Sequence, residues 1–252
     1  MNPLFSIITV TYNAETTLGV TLDSVRKQTC RLFEYIIMDG KSTDTTVEMA
    51  SNSQISELKI VSERDNGLYD AMNKAMEMAT GDYLIFLNAG DTFASADTLD
   101  IVANVIMDND YPGVVYGQTR IVDTNRHYLA NRHLEAPEVL SVDSFASGMV
   151  VCHQAFIALR KLAEPYDTKY KYSADYDWCI RILQKSRRNK YLDREIIDYL
   201  GEGLTTANRR KSLVERFKIM CKYYGAIRTI FNHIKFIPRF LKRRKLEKTF
   251  ID

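Results

Sequence analysis

FSIITVTYN at residues 5–13, EYIIMDGKSTD at 34–44, LKIVSERDNG at 58–67 and DYLIFLNAGD at 82–91 decide the fold. Each opens as a short apolar run rich in β-branched and aromatic residues and closes in a polar loop, the pattern of a strand buried on both faces. Helical spacing fills the intervals. Leu18, Leu22 and Val25 recur within 16–29, a second helix starts near 44 with Asp44 or Thr43 as its N-cap, and a third runs over 68–79 and stops at Gly81. Four strands separated by three helices in about 90 residues predict an α/β fold on a parallel sheet. In such sheets ligands bind beyond the carboxyl ends of the strands. The loops around Thr11, Asp39, Asp65 and Asp91 are therefore expected to converge on one crevice.

Beyond this core the spacing predicts a helix over 97–107, a strand over 113–117, mixed strands and loops to about 165, and a helix over 174–186 with Trp178, Ile182 and Leu183 facing inward. From Arg209 to Lys248 the chain reads as helical and basic, with a break or kink at Pro238. The expected division is a catalytic domain over 1–205 and a basic amphipathic extension over 206–252.

The 252 residues are 46% hydrophobic and 26% charged, which excludes a disordered or collagen-like chain. The formal charge of +2 hides an asymmetry: from Thr205 onward 14 Lys and Arg face 3 Asp and Glu, leaving 20 against 29 before it. Cys30, Cys152, Cys179 and Cys221 are scattered, and no signal-peptide pattern stands ahead of the first strand, so reduced thiols and a cytoplasmic location are expected. The longest apolar runs fall far short of the roughly 18 residues that span a bilayer. The tail interleaves Ile230, Phe231, Ile234, Phe236, Ile237, Phe240 and Leu241 with Lys235, Arg239, Lys242, Arg243, Arg244 and Lys245. A helix of this kind is expected either to lie on anionic lipid, peripherally on the inner face of the cytoplasmic membrane, or to pack its apolar side on the catalytic domain and leave its charges solvated. No nucleic-acid reader motif is present, and nucleic acid is not an expected partner.

Neither G-x-G-x-x-G nor G-x-x-x-x-G-K-[ST] occurs, so the sheet lacks the glycine-rich phosphate cradles of dinucleotide and P-loop proteins. The strand ends are acidic instead. Carboxylates facing a phosphate ligand repel it unless a divalent cation lies between them, which points to a metal-bridged nucleotide diphosphate.

SIITVTYN, DGKSTD, SERDNGLYDAMNKA and GDYLIFLNAGD, in that order, resemble the family 2 glycosyltransferases of the GT-A fold, nearest to bacterial enzymes that build polysaccharide and lipopolysaccharide. The likeness covers about residues 3–205. It implies a Rossmann-like, mixed but mostly parallel sheet flanked by helices, and an inverting, metal-dependent transfer of a hexosyl or N-acetylhexosaminyl group. The implied donor is a nucleotide sugar, with UDP as the nucleotide, and the implied acceptor is a glycan or a lipid-linked glycan. By the same resemblance Val10, Thr11, Tyr12, Asn13 and Glu15 surround the nucleotide, and Asp39 and Asp65 contact the base. A carboxylate suits that role because it accepts the imide N–H of uracil. Gly67, Tyr69, Asp70, Asn73 and Lys74 complete the donor segment. Gly40 and Lys41 stand where the family carries Asp and Gly.

Asn88, Ala89, Gly90 and Asp91 occupy the place of the D-x-D motif, with Asp91 the remaining carboxylate to hold Mn²⁺ or Mg²⁺ against the diphosphate. Alone, these four residues are an ordinary turn after a strand. Ala174-Asp175-Tyr176-Asp177-Trp178 resembles the E-D-x-D region and makes Asp175 the general base, with Asp177 as fallback and Ala174 replacing the usual Glu. His153, Gln154 and Gly148 fall on the acceptor and diphosphate side, and Gly201-Glu202-Gly203 resembles the loop that ends the catalytic domain. Trp178 and most tyrosines read as core. The alternative function is a catalytically silent sugar-nucleotide binder in a glycan assembly complex, suggested by the thinned metal motif and the lost Glu.

Overall fold

The computed structural model describes residues 3–201 and 208–234. In chain order these form β1 (Phe5–Thr11), α1 (Leu18–Arg26), β2 (Phe33–Asp39), α2 (Thr46–Ser51), β3 (Leu58–Ser62), α3 (Leu68–Met78), β4 (Tyr83–Phe86), β5 (Thr92–Phe93), α4 (Thr98–Asp108), β6 (Val114–Val122), β7 (Tyr128–Asn131), β8 (Phe156–Leu159), α5 (Ala174–Lys185), β9 (Asn189–Leu200) and α6 (Arg209–Tyr224). Three short 3-10 turns lie between β7 and α5.

The described strands make one sheet in the order β3-β2-β1-β4-β8-β6-β9-β5, with β7 beside β6. The half built from the four motif strands is parallel. Its central strands are buried along almost their whole length, which is why they read as unbroken apolar runs. β8 then joins antiparallel to β4 and β6, and β6 pairs in parallel with β9. Two elements escape sequence reading. β9 is long but mostly half-exposed and carries charges, and its register against β6 shifts at Gln118 and Thr119. Gly117 sits at that bulge, where a Cβ would meet the Arg194 carbonyl oxygen at 2.9 Å. β5 is only two residues long.

Register levels the strand ends. Thr11 pairs with Asp39, and Asp39 with Ser62, so three polar side chains finish side by side on β1, β2 and β3. At the opposite edge Glu34 gathers donors from Ser6 Oγ (2.6 Å), Lys59 Nζ (2.6 Å), Thr80 N (2.5 Å), Thr80 Oγ1 (2.9 Å) and Gly81 N (3.1 Å). The carboxylate thereby ties β1, β2 and β3 to the entry of β4. Burial opposes its charge, but the donors from Lys59, Ser6 and Thr80 outweigh that and hold its carboxyl at about 2.

Trp178 is fully buried, as expected, within a ring cluster of Phe86, His153, Phe156 and Tyr166. The N-terminal residue of α2 is Thr46, and Asp44 rather than Thr43 satisfies it, its Oδ1 accepting from Thr46 N at 3.0 Å. The C-terminal region departs most from expectation. α6 ends at Tyr224 on Gly225, whose φ of +79° stops the helix well before Pro238, and helix resumes over 226–234. α6 packs on α5: Glu215 accepts from Lys171 N (2.9 Å) and Tyr172 N (2.8 Å), and Ser212 meets Ser173 at 2.9 Å. Residues of α6 thus hydrogen-bond to the segment that leads into α5. Glu202, Gly203 and residues 235–252, with Pro238 and most of the basic tail, lie outside the described residues.

Candidate active site

The loops after β1 and β2 interlock first. Asn13 Oδ1 accepts from Thr43 N (2.9 Å), Asn13 N donates to Ser42 Oγ (2.8 Å), and Glu15 Oε2 accepts from Thr45 Oγ1 (2.9 Å). Asn13 and Glu15 therefore hold the loops together through their side chains. Lys41 keeps a left-handed backbone, φ +67°, at the position where a glycine was expected. Tyr12 projects from this frame and is 67% exposed.

Asp39 was expected to touch the base. The structure buries it at the end of β2, where it accepts from Thr11 Oγ1 (2.9 Å), Ser42 N (2.8 Å), Ser42 Oγ (2.5 Å) and Ser62 Oγ (2.7 Å). Burial works against its charge, yet the donors from Ser42, Ser62 and Thr11 prevail and lower its pKa. Asp39 is the hub of the loops, and its lone pairs are spent. Asp65 stands beside it, half-buried, with Oδ1 accepting from Gly67 N at 2.7 Å. A Cβ on Gly40 would fall 2.6 Å from Asp65 Oδ2 and 3.4 Å from the Tyr12 ring. Gly40 is thus the opening through which Tyr12 and Asp65 come together, which accounts for glycine where the family carries a second aspartate. Gly67, φ +112°, turns the chain into α3.

Two further residues of that segment serve the scaffold. Asn73 donates to Tyr166 O (3.1 Å) and accepts from Tyr166 N (2.7 Å). Lys74 pairs with Glu63 at 2.7 Å and donates to Arg64 O at 2.9 Å. Val10 is partly buried against the core.

A cavity of about 430 Å³ opens beside the start of α3, lined by Leu68, Tyr69, Asn88, Arg132, His153, Gln154, Asp175, Tyr199 and Arg216 among others. Asp175 lies in the first turn of α5, where a carboxylate is favoured by the helix N-terminus, and accepts from Tyr69 Oη at 3.0 Å. Asp177, two residues on, points elsewhere. Its side chain is 1% exposed and is held by Arg181 Nε (2.8 Å), Lys222 Nζ (2.8 Å) and Tyr223 Oη (2.9 Å). The fallback base is a buried ion-pair centre joining α5 to α6. His153 lies beneath the cavity, stacked on Phe86 at 4.9 Å with Nε2 2.7 Å from Tyr166 Oη. Burial pushes its pKa down to about 4, so it is a neutral imidazole at physiological pH. Gly148, φ +109°, ends the 3-10 turn over Val142–Ser147 and plays a backbone part.

The loop after β4 is fixed from three sides. Thr21 Oγ1 donates to Asp91 O (2.8 Å) and accepts from Gly90 N (2.9 Å), Arg126 Nη1 donates to Gly90 O (2.7 Å), and a Cβ on Gly90 would strike Leu200 Cδ2 at 2.7 Å. Asn88 reaches the cavity, while Ala89 packs on the core. Asp91 is 3% exposed; its Oδ1 accepts from Leu200 N at 2.9 Å and its Oδ2 from Gln154 Nε2 at 2.6 Å. Burial drives its carboxyl up to about 7. Among the described residues no three His, Cys, Asp or Glu side chains are grouped to hold an ion. A hard cation seeks about six oxygen ligands. This loop offers the partnerless buried Oδ1 of Asn88 and a sequestered carboxylate drawn toward neutrality. These are too few protein oxygens to hold Mn²⁺ or Mg²⁺ unless a diphosphate and water complete its shell.

The expected convergence thus divides. Thr11, Tyr12, Asp39, Gly40 and Asp65 form one cluster, and Asn88, His153, Gln154 and Asp175 form the adjoining cavity wall, with Asp91 behind Gln154. Arg126, Arg132, Tyr199 and Arg216 were not anticipated. The arginines carry no local pattern that separates them from the other basic residues, and Tyr199 sits in the strand that sequence reading missed.

The family model described as "Glycosyl transferase family 2" matches residues 6–165. A PGL/p-HBAD biosynthesis glycosyltransferase of Mycobacterium bovis is 31% identical over 259 residues, covering 99% of this chain and 97% of its own. The amylovoran biosynthesis glycosyltransferase AmsB of Erwinia amylovora is 28% identical over 70% of this chain and 63% of its own. Among solved structures, S. aureus TarS 1-349 in complex with UDP superposes with a TM-score of 0.68 at 20% identity, covering 90% of this chain and 68% of that one. The mannosyltransferase PcManGT of Pyrobaculum calidifontis, solved with GDP-Man and Mn²⁺, gives 0.59 at 17% identity over 94% and 76% of the two chains. These likenesses identify the architecture as the GT-A fold.

Proposed function

Because this chain belongs to glycosyl transferase family 2, we propose that it moves a sugar from a nucleotide-sugar donor, with UDP as the nucleotide, to a hydroxyl of a glycan or lipid-linked acceptor in cell-surface polysaccharide assembly. The observation that carries the reading is Asp175, presented to the cavity and oriented by Tyr69, while Asp177 is locked in ion pairs. Asp175 takes the proton from the acceptor hydroxyl as that oxygen bonds to the anomeric carbon. The bond from that carbon to the diphosphate oxygen breaks, and its electron pair leaves with the nucleoside diphosphate. Attack opposite the leaving group inverts the anomeric centre.

On the donor side, the exposed Tyr12 ring and the Asp65 carboxylate are suited to stack on and bind the base, with Asp39 acting through the loops it organises. Gln154 and Asn88 supply neutral polar groups toward the sugar and acceptor. The folds of TarS, solved with UDP, and of PcManGT, solved with GDP-Man, support a nucleotide-sugar donor of this general kind. The test is release of nucleoside diphosphate from UDP-N-acetylglucosamine, UDP-glucose, GDP-mannose and dTDP-rhamnose with a polyprenyl-linked acceptor. At least one donor should turn over, and Asp175→Asn should abolish that turnover. Nucleotide binding without Asp175-dependent release would instead mark a silent sugar-nucleotide binder.

No described helix is long and apolar enough to cross a membrane. Ile227, Ile230, Phe231 and Ile234 are 49–75% exposed and recur at helical spacing over 226–234. With the basic residues that follow in the sequence, this stripe suits an anionic membrane surface on the cytoplasmic side, where a lipid-linked acceptor resides. Ile227→Ser, Phe231→Ser and Ile234→Ser together should release the protein from phosphatidylglycerol vesicles. Unchanged sedimentation with those vesicles counts against the placement.

A further inference from the structure

We propose that Arg132 and Arg216 neutralise the diphosphate of the donor, taking the place the family motif gives to a bridging cation. The inference rests on the donor reading above. Both arginines line the cavity that holds Asp175, yet they come from separate segments: Arg132 directly after β7 and Arg216 from α6. Among the described residues neither guanidinium pairs with a carboxylate. Arg132 Nη2 donates to Met149 O at 3.0 Å, and Arg216 Nε is buried with no hydrogen-bond partner. A cation's N–H without an acceptor is costly, so the Arg216 guanidinium, unpaired on the cavity wall, is favoured by an acceptor-rich ligand beside it.

Charge arithmetic in the cavity agrees. Two guanidinium groups face Asp175, His153 is neutral, and Asp91 is set back behind Gln154. The cavity therefore favours an anion, the reverse of what the acidic strand ends suggest in sequence. Guanidinium geometry suits phosphate oxygens, which it binds in paired hydrogen bonds. As the anomeric carbon–oxygen bond breaks, the departing diphosphate gains one negative charge, and two fixed cations stabilise it where it develops.

The test is isothermal titration calorimetry of the full chain with UDP, uridine and inorganic pyrophosphate, all in EDTA. Wild type should bind pyrophosphate and UDP without added cation, and pyrophosphate should compete with UDP. Arg132→Ala and Arg216→Ala should each weaken both ligands at least tenfold while leaving uridine affinity and thermal midpoint unchanged. Arg216→Lys should recover part of the loss, and Arg216→Gln replaces the alanine variant if that one fails to fold. The proposal is overturned if wild type binds pyrophosphate only after Mn²⁺ is added, or not at all, or if folded variants bind it as wild type does. Additive rather than competing binding of pyrophosphate and UDP also overturns it, by assigning the arginines to an acceptor phosphate. UDP binding indifferent to both arginines sinks this inference and leaves the donor reading standing. Arginine-dependent pyrophosphate binding by a chain that binds no nucleoside diphosphate at all sinks the donor reading and leaves the anion site.

Discussion

Asp175→Asn and Asp177→Asn remove carboxylates two residues apart on one helix and should fail in opposite ways. Asp177 is 1% exposed and holds Arg181, Lys222 and Tyr223, and burial of its charge is outweighed by those three donors. Breaking one side of a buried ion pair costs about 3–5 kcal/mol. Because the Lys222 side chain is 44% exposed and can rehydrate, the lower end, about 3 kcal/mol, applies. In a chain of this size each kcal/mol lowers the thermal midpoint by about 2–4 °C, so Asp177→Asn should melt about 6–12 °C early. Its kcat at 25 °C should stay within about threefold, since a loss of about 3 kcal/mol leaves most domains of this size folded. Its KM for donor should rise, because α6, which bears Arg216, loses its anchor to α5. Asp175→Asn should leave the midpoint within about 2 °C, as expected for a half-buried site outside any ion pair. It should lower kcat by about 10²–10⁴, the contribution of a general base. Differential scanning fluorimetry and initial-rate kinetics on both variants decide it. If Asp177→Asn lost turnover a hundredfold at an unchanged midpoint while Asp175→Asn kept it, the assignment of the base would be wrong.

Four further perturbations probe the frame and the donor cluster. Glu34, held at about 2 against an ordinary 4.5, contributes stability that is complete above about pH 5 and is lost as pH falls through 4.5 toward 2. That shift corresponds to about 3 kcal/mol, discounted to about 2 because Lys59 is half-exposed, so Glu34→Gln should lose about 2 kcal/mol at pH 7 and flatten the acid limb in urea titrations. Gly40→Ala should fold normally, because its Cβ meets the mobile end of Asp65, yet weaken UDP binding at least fivefold by calorimetry. Gly81→Ala, whose Cβ would strike the Phe5 and Ser6 backbone at 2.6 Å, should instead lower the thermal midpoint severely. Tyr12→Ala should leave the midpoint unchanged and cost about 1–3 kcal/mol of UDP affinity, the worth of an aromatic platform under a base.

The parallel half of the fold was legible because a strand buried on both faces leaves an unbroken apolar run, as in Ile7-Ile8 and Ile36-Ile37. β9 was not, because its outward positions carry Asp193, Arg194 and Glu195 and its bulge breaks the two-residue alternation. Gly225 went unnoticed as a helix end amid a basic run that continues past it in sequence. Residue types at the site were largely legible, and what each could still bind was not. Asp39 fills its lone pairs, and Asp91 engages both of its oxygens, with neighbours that only the folded register brings close.

Acidity along a chain and acidity in a cavity are therefore different quantities. The case for a bridging cation assumed that carboxylates at the strand ends face the ligand. Asp39 turns to Ser42 and Ser62, and Asp91 to Gln154 and Leu200, so of the three only the half-buried Asp65, with Oδ1 on Gly67 N, keeps an oxygen without a hydrogen bond, and it lies in the Tyr12 cluster. The cations that do reach the cavity come from Arg132 and α6, far along the chain from any strand-end motif. α6 is held in place by the same Asp177 that resembles a catalytic residue in sequence. One aspartate of the E-D-x-D-like segment thus faces the cavity, where the proposed transfer needs a base, and the other fixes α6 and with it the position of Arg216 on the cavity wall.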